Sequence, residues 1–365
     1  MTDRFIKKSL IITFVLLIVN SICLAGEADS TKSTEFKFYF YPFAFYTPET
    51  EIAIGAGVAS YFRNKADSLN KPSKVTLTGY YSFRKQYSFT LRPEFYFKKN
   101  TYRVFMEANI GDFADKFWGI GNDTPDIETA DYMRQAYGIL INSQKRFQQK
   151  YRAGFIIEVK NSVIGDRKEN PFLQTDTIPG SNGGMTSGLG FSLAYDSRNS
   201  IFFPVRGSFI ELQTTVYDNS IGSEFSYQRY LVNYRKYVPL TYNHTLALQA
   251  FGNFTGGTVP FYELPYVGGP ATMRGYFWGR YRDKHFMTVQ LEYRTILFWR
   301  VGFAAFAGLG DVSDSFTNWP LSDFKHSAGA GIRYVVDPKE KLTVRIDLAF
   351  GKGSSGLYFA VEEAF

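Results

Sequence analysis

Apolar and polar residues alternate along most of this chain. Val75, Leu77, Tyr81 and Phe83 interleave with Thr76, Thr78, Tyr80, Ser82 and Arg84, the period of two that turns successive side chains of a β-strand to opposite faces. The same period returns in Met287, Val289, Leu291 and Tyr293 against Thr288, Gln290, Glu292 and Arg294. It returns again in Leu342, Val344, Ile346, Leu348 and Phe350 against Lys341, Thr343, Arg345 and Asp347. Charge gathers on one face of each run and hydrocarbon on the other, which predicts strands set between lipid and a polar interior.

Dividing the chain at turn residues predicts strands near 36–46, 51–63, 73–84, 86–98, 101–111, 132–146, 150–162, 184–196, 206–217, 224–238, 243–254, 285–297, 299–308, 325–336, 341–350 and 355–365. Their even number suits a transmembrane antiparallel β-barrel of about 16 strands, in which long external loops alternate with short periplasmic turns. The connections at 112–131, 163–183, 255–284 and 309–324 are long, and those at 98–101, 147–150, 239–242 and 337–341 are short. The connection at 64–72 is longer than a periplasmic turn requires.

The N-terminus reads as an export signal. Arg4, Lys7 and Lys8 precede an apolar core from Leu10 to Val19 and a small-residue exit at Cys23-Leu24-Ala25, the three parts of a cleavable secretory peptide. The core falls short of the ~20 apolar residues that a helical span requires. A lipoprotein at Cys23 would place Ile22 where a small residue is expected. The expected division is therefore a signal peptide at 1–25, a short periplasmic segment at 26–35 and a barrel at 36–365. Cys23 is the only cysteine, so the processed chain is expected to hold no disulfide. The 36 Phe and 26 Tyr fit the aromatic girdles of a barrel in an outer membrane. The net charge of +7 becomes +5 once Arg4, Lys7, Lys8 and Asp3 leave. That excess is spread along the chain and gives no nucleic-acid signature.

Leu264 to Asp283 form a glycine-rich, arginine-studded stretch centred on Met273-Arg274-Gly275-Tyr276. It resembles the sixth extracellular loop of the BamA/TamA superfamily, also called the bacterial surface antigen family, whose Arg-Gly-aromatic tip folds into the barrel. Asp196-Ser197-Arg198-Asn199 with Pro204-Val205-Arg206-Gly207, and the run from Gly329 through Asp347 to Phe365, resemble further segments of that family in the same order. The resemblance covers about residues 36 to 365. Assembly proteins of the family usually carry periplasmic POTRA domains ahead of the barrel, whereas about ten residues follow Ala25 here. This chain is expected to lack those domains.

The resemblance implies a Gram-negative outer-membrane barrel, with outer-membrane lipid around it, that inserts or translocates unfolded protein or lipid. A separate periplasmic partner protein would replace the missing domains. The loop between strands 11 and 12 would fold into the lumen, with Gly268, Gly269 and Gly275 giving the backbone its freedom and Arg274 and Tyr276 at the tip. The family's acidic partner for this arginine lies in an F-x-D-x-G motif, but here Gly308 stands at the aspartate position of Phe306-Ala307-Gly308-Leu309-Gly310. Glu292, Asp311 and Asp347 are the expected replacements. The loop could equally be a fixed plug that stabilises the barrel. Phe365 matches the terminal aromatic that marks such barrels for assembly, and Leu357, Phe359, Val361 and Phe365 are expected on one face, interrupted by Glu363. Pro42 lies in the first strand, which in the family meets the last strand at a seam that opens sideways; as a residue, it predicts only a bent strand end.

Two other readings stand beside this one, a passive or gated pore for small solutes and an outer-membrane hydrolase. His244, His285 and His326 are far apart in sequence, and no H-E-x-x-H or G-x-S-x-G occurs, so no catalytic residue, cofactor or metal is expected.

Overall fold

The computed structural model describes residues 34–47, 51–64, 72–241, 243–338 and 341–365. The segment read as a signal peptide lies outside them, as does most of the connection at 64–72. The regular structure of the described residues is almost entirely strand: β1 (Thr34–Thr47), β2 (Glu51–Asn64), β3 (Ser73–Ser82), β4 (Tyr87–Phe97), β5 (Tyr102–Lys116), β6 (Asp131–Arg146), β7 (Tyr151–Gly165), β8 (Gly183–Asp196), β9 (Gly207–Tyr217), β10 (Tyr227–Thr241), β11 (His244–Gly257), β12 (His285–Phe298), β13 (Val301–Ser313), β14 (Lys325–Asp337), β15 (Leu342–Gly351) and β16 (Ser354–Val361). Each pairs antiparallel with the next, and β1 returns to β16 to close the barrel. Closure is what an alternating chain needs in hydrocarbon, because an open sheet edge would leave backbone groups with no partner.

Alternation sets the two faces. Leu77, Tyr81, Val289, Leu291, Ile346, Leu348 and Phe350 point outward and are exposed, whereas Gln290, Glu292, Arg294, Arg345 and Asp347 are buried. A soluble core would reverse that assignment. Leu342 is the exception to the expected pattern: it is buried and packs with Ala59, Tyr61 and Phe202. The pairing of β14 with β15 shifts register between Val335 and Asp337, and such a bulge re-aims the side chains beside it.

Three expected boundaries move by more than three residues. β5 continues to Lys116 because its ladder with β6 runs on to the pair Lys116 and Asp131. β13 extends to Ser313 opposite His285. β16 stops at Val361, and the chain then turns inward. Phe365 is buried with Tyr237, Ala247 and Ala364, so it does not continue the outward face on which Leu357 lies.

The interior is filled differently at the two ends. At the long-loop end, the connections after β5, β7 and β11 meet in an apolar core containing Phe117, Leu173, Phe261 and Leu264, with the rings of Phe117 and Phe261 4.7 Å apart. At the short-turn end, the connection between β8 and β9 sends Phe202 across the mouth. Its ring meets Tyr61 of β2 edge-on at 5.2 Å.

The joint between β1 and β16 is the thinnest in the wall. Among the described residues its ladder has a single pair, Tyr46 opposite Leu357, whereas β1 and β2 are paired along their whole length. Side chains bridge the rest: Tyr39 donates to Asp337 Oδ2 at 2.7 Å, Lys74 donates to Glu362 at 2.7 Å, and Phe359 stacks with Phe43 at 5.8 Å. Pro42 pairs with Ala56 inside the β1–β2 ladder, where β1 continues to Thr47.

Candidate functional site

Strand alternation brings Glu292 of β12, Arg333 of β14 and Asp347 of β15 to the inner wall, all of them buried. The connection between β11 and β12 delivers Arg274 to the same place. Its Nη1 donates to Asp347 Oδ2 at 2.5 Å and its Nη2 to Glu292 Oε2 at 2.5 Å. The guanidinium carbon lies 3.4 Å from the centre of the Phe306 ring. β12 and β15 are separated in the wall by β13 and β14, so this one side chain spans a chord across the inner surface.

The two carboxylates are shared. Asp347 also accepts from Arg333 at 2.5 Å and from Arg345. Glu292 accepts from Arg294 Nε at 2.7 Å and Arg333 Nη2 at 3.3 Å. Glu363, beyond the end of β16, accepts from Arg333 Nε at 3.0 Å and lies 3.6 Å from Arg294. Arg294 also donates to the Phe365 carbonyl at 3.0 Å. An isolated buried charge would be strongly disfavoured; here each carboxylate is shared by arginines, and each arginine meets at least one carboxylate.

Local backbone chemistry explains how the loop reaches this wall. Gly275 has φ of 104°, and a Cβ there would come within 2.7 Å of the Phe350 backbone. Only glycine combines that left-handed backbone with so close an approach. The Gly275 amide donates to Tyr358 at 3.0 Å. Next to it, the Tyr276 hydroxyl donates to the His326 carbonyl at 2.8 Å and accepts from the Lys352 amide at 3.1 Å. Gly268 and Gly269, with φ of 122° and 110°, start the turn, and Met273 N–H donates back to the Gly269 carbonyl at 3.2 Å. Burial raises the Tyr276 phenol above its ordinary pKa, which keeps the hydroxyl able to donate.

Of the three carboxylates expected near Arg274, Glu292 and Asp347 lie against it and Asp311 does not. Asp311 sits toward the long-loop end of β13, where it accepts from Lys325 Nζ at 2.6 Å and from Asn122 at 3.2 Å. Adjacency to the Phe306 motif misled because Asp311 lies three residues beyond Gly308, a displacement of roughly 10 Å along the strand. Gly308, at the motif position an aspartate would take, lies opposite Gln290, whose amide donates to the Ala271 carbonyl at 3.0 Å. The wall thus holds the loop there through an amide, while Phe306 keeps its place beneath the arginine.

Arg333 and Phe202 escaped the sequence reading, and Glu363 entered it only as an interruption of the terminal apolar face. Alternation through Ile332, Arg333 and Tyr334 was a usable signal for the first. The others depend on chain reversals that no period records. The three histidines stay apart: His244 contacts Tyr293, the His285 ring lies 5.9 Å from Phe254, and the His326 carbonyl holds Tyr276.

Residues 69–338 match the Omp85 superfamily domain. No curated protein sequence matches the chain. Among solved structures, BamA from Haemophilus ducreyi lacking POTRA domains 1–3 aligns with a TM-score of 0.57 at 16% identity, over 90% of this chain and 70% of that one. CdiB from Acinetobacter baumannii aligns with a TM-score of 0.58 at 10% identity, over 90% of this chain and 65% of that one. At these identities the likeness is one of fold.

Proposed function

Because this chain belongs to the Omp85 superfamily, we propose that it is an outer-membrane barrel that inserts or translocates protein or lipid, with the Arg274 loop as the latch of its lumen. The observation that carries this reading is the Arg274 guanidinium held between Glu292 and Asp347 with no solvent exposure. A loop serving only as filler has no need of a charged tip that links two separated strands. The thin joint between β1 and β16 supplies a place where the wall could part for a client segment. A separate periplasmic protein would present the client, and the surrounding outer-membrane lipid would receive it.

A permanently open pore is the weaker reading, because the apolar cluster around Phe261 and the arginine–carboxylate ring occupy the path through the barrel. Hydrolysis has less support still, with the three histidines on separate parts of the wall.

The latch is tested by Arg274→Ala in the full-length barrel, reconstituted in planar bilayers and also expressed in cells. The expected outcome is a folded barrel whose 258–284 loop is cut faster by added protease, with larger or more frequent conductance steps and impaired assembly or transport of its clients. Unchanged proteolysis, conductance and outer-membrane composition would remove the latch from the mechanism. Steady large conductance from the unaltered protein, with no partner present, would instead establish the pore.

A further inference from the structure

The sequence leaves the positive charge spread along the chain, but the fold gathers part of it at the short-turn end. A cavity of about 260 Å³ opens there between the turns after β4, β6 and β8, and its walls include Arg146, Lys150, Arg152, Asp196, Ser197 and Arg198. Four of these side chains are cationic and one is a carboxylate. That carboxylate is already engaged, since Arg198 Nε and Nη2 lie 2.9 and 3.1 Å from the two Asp196 oxygens. Arg146 is partly held by the Lys99 carbonyl at 2.5 Å.

Arg152 is the unusual member. It is 7% exposed, and no acceptor reaches its Nη1. Its contact is with a ring face, the guanidinium carbon lying 5.7 Å from the centre of Tyr96. A ring face attracts the charge but leaves the N–H fork unused. A buried guanidinium nitrogen without an acceptor is costly. Asn100, also buried, lines the cavity as well, whereas the Ser197 hydroxyl is engaged with the Ser208 backbone. A tetrahedral oxyanion with several acceptor oxygens matches this set, because a guanidinium binds phosphate through two parallel N–H bonds.

We propose that this cavity is a phosphate-binding site at the periplasmic rim, with Arg152 as its anchor and Arg146 and Lys150 as its outer cations. The exposed aromatic pair Phe147 and Tyr151, with rings 6.0 Å apart, flanks it on the lipid side. Aromatic belts mark headgroup depth, so the phosphate can come from a phospholipid headgroup of the inner leaflet or from free phosphate. The site makes Asp196-Ser197-Arg198 a binding wall, a role separate from the Arg274 latch.

The test uses the purified full-length barrel in a phosphate-free maltoside detergent, titrated calorimetrically. The probes are inorganic phosphate, dihexanoyl phosphatidylglycerol, and dihexanoylglycerol as the phosphate-free control. Saturable binding of a phosphate-bearing probe and none of the control is expected, with Arg152→Gln weakening it by about tenfold or more, as loss of a charged hydrogen bond does. Binding of inorganic phosphate as well as the lipid identifies a general oxyanion site; binding of the lipid alone identifies a headgroup site. Folding of each variant is checked by heat-modifiable gel migration. If Arg152→Gln does not fold, the rim variant Arg146→Gln/Lys150→Gln decides, with the same weakening expected. No saturable binding by the folded wild-type barrel, or equal affinity in the folded variants, overturns the site.

Discussion

A single guanidinium has two stable places, in water or locked between carboxylates. Arg274 takes the second, and it shares Asp347 with Arg333 and Arg345. Removing one partner of a dry buried pair leaves the other charge stranded, which costs about 3–5 kcal/mol. Asp347→Asn is therefore expected to lower the unfolding midpoint more than Asp311→Asn, because Asp347 pairs with three arginines and Asp311 with one lysine. Arg274→Ala combined with Asp347→Asn should cost less than the two changes added, because contacting residues couple. Urea unfolding of the four proteins in detergent checks this; strict additivity would mean that the lumen is wet and the charges independent. Glu292 and Asp347 could be found from the sequence because strand alternation put both inside. The choice between them and Asp311 could not, since it turns on which rung of the ladder the loop tip meets.

At the scale of the element, strands were legible and reversals were not. Long elements such as β6 and β8 announce themselves by period and by turn residues, and their ends matched to within one residue. β16 ended early because the residues after Val361 carry Glu362 and Glu363 toward Lys74 and Arg333. A two-residue period cannot foresee that pull. The Phe202 finger was hidden for a similar reason: Ile201-Phe202-Phe203 is too short to show a pattern, and its partners Tyr61 and Leu342 lie far away in sequence. Phe202→Ala should destabilise the mouth by about 3 kcal/mol, the lower part of the range for a buried phenylalanine, and should speed cleavage within 197–206. Limited proteolysis followed by mass spectrometry gives the answer, and an unchanged cutting rate would make the finger a passive ornament of the turn. Gly275→Ala tests the other long connection. With positive φ and the Phe350 backbone in the way, the added methyl should lift the loop tip off the wall and reproduce the exposed-loop proteolysis of Arg274→Ala while leaving every charge in place.

For the whole molecule, closure was predictable from alternation, and its uneven strength only from the family resemblance. Sixteen alternating strands demand a ring, yet nothing in the period tells β1 and β16 to share one backbone pair. Hydrogen exchange should therefore find the β1 amides that face β16 unprotected relative to those between β5 and β6, where the ladder runs from Tyr102 to Lys116. Equal protection along both joints would show that the seam is as firm as the rest. Deleting Phe365 should lower the yield of membrane-assembled barrel, since the residue packs against Tyr237 and Ala247 and its carbonyl holds Arg294; an undiminished yield would leave it with no part in assembly.

The chord from Arg274 has a mechanical corollary. It ties β12 to β15, and Arg294 and Arg333 tie Glu363 back to β12 and β14, so the wall from β12 to β16 behaves as a cross-braced panel. The opposite jamb, β1 with β2, is held instead through the hydroxyls of Tyr39 and Tyr61, the Lys74–Glu362 pair and the Phe202 ring. A load on the joint would then swing β1 outward like a door leaf while β16 stays with the frame. A spin label on β1 should report the movement that one on β16 does not.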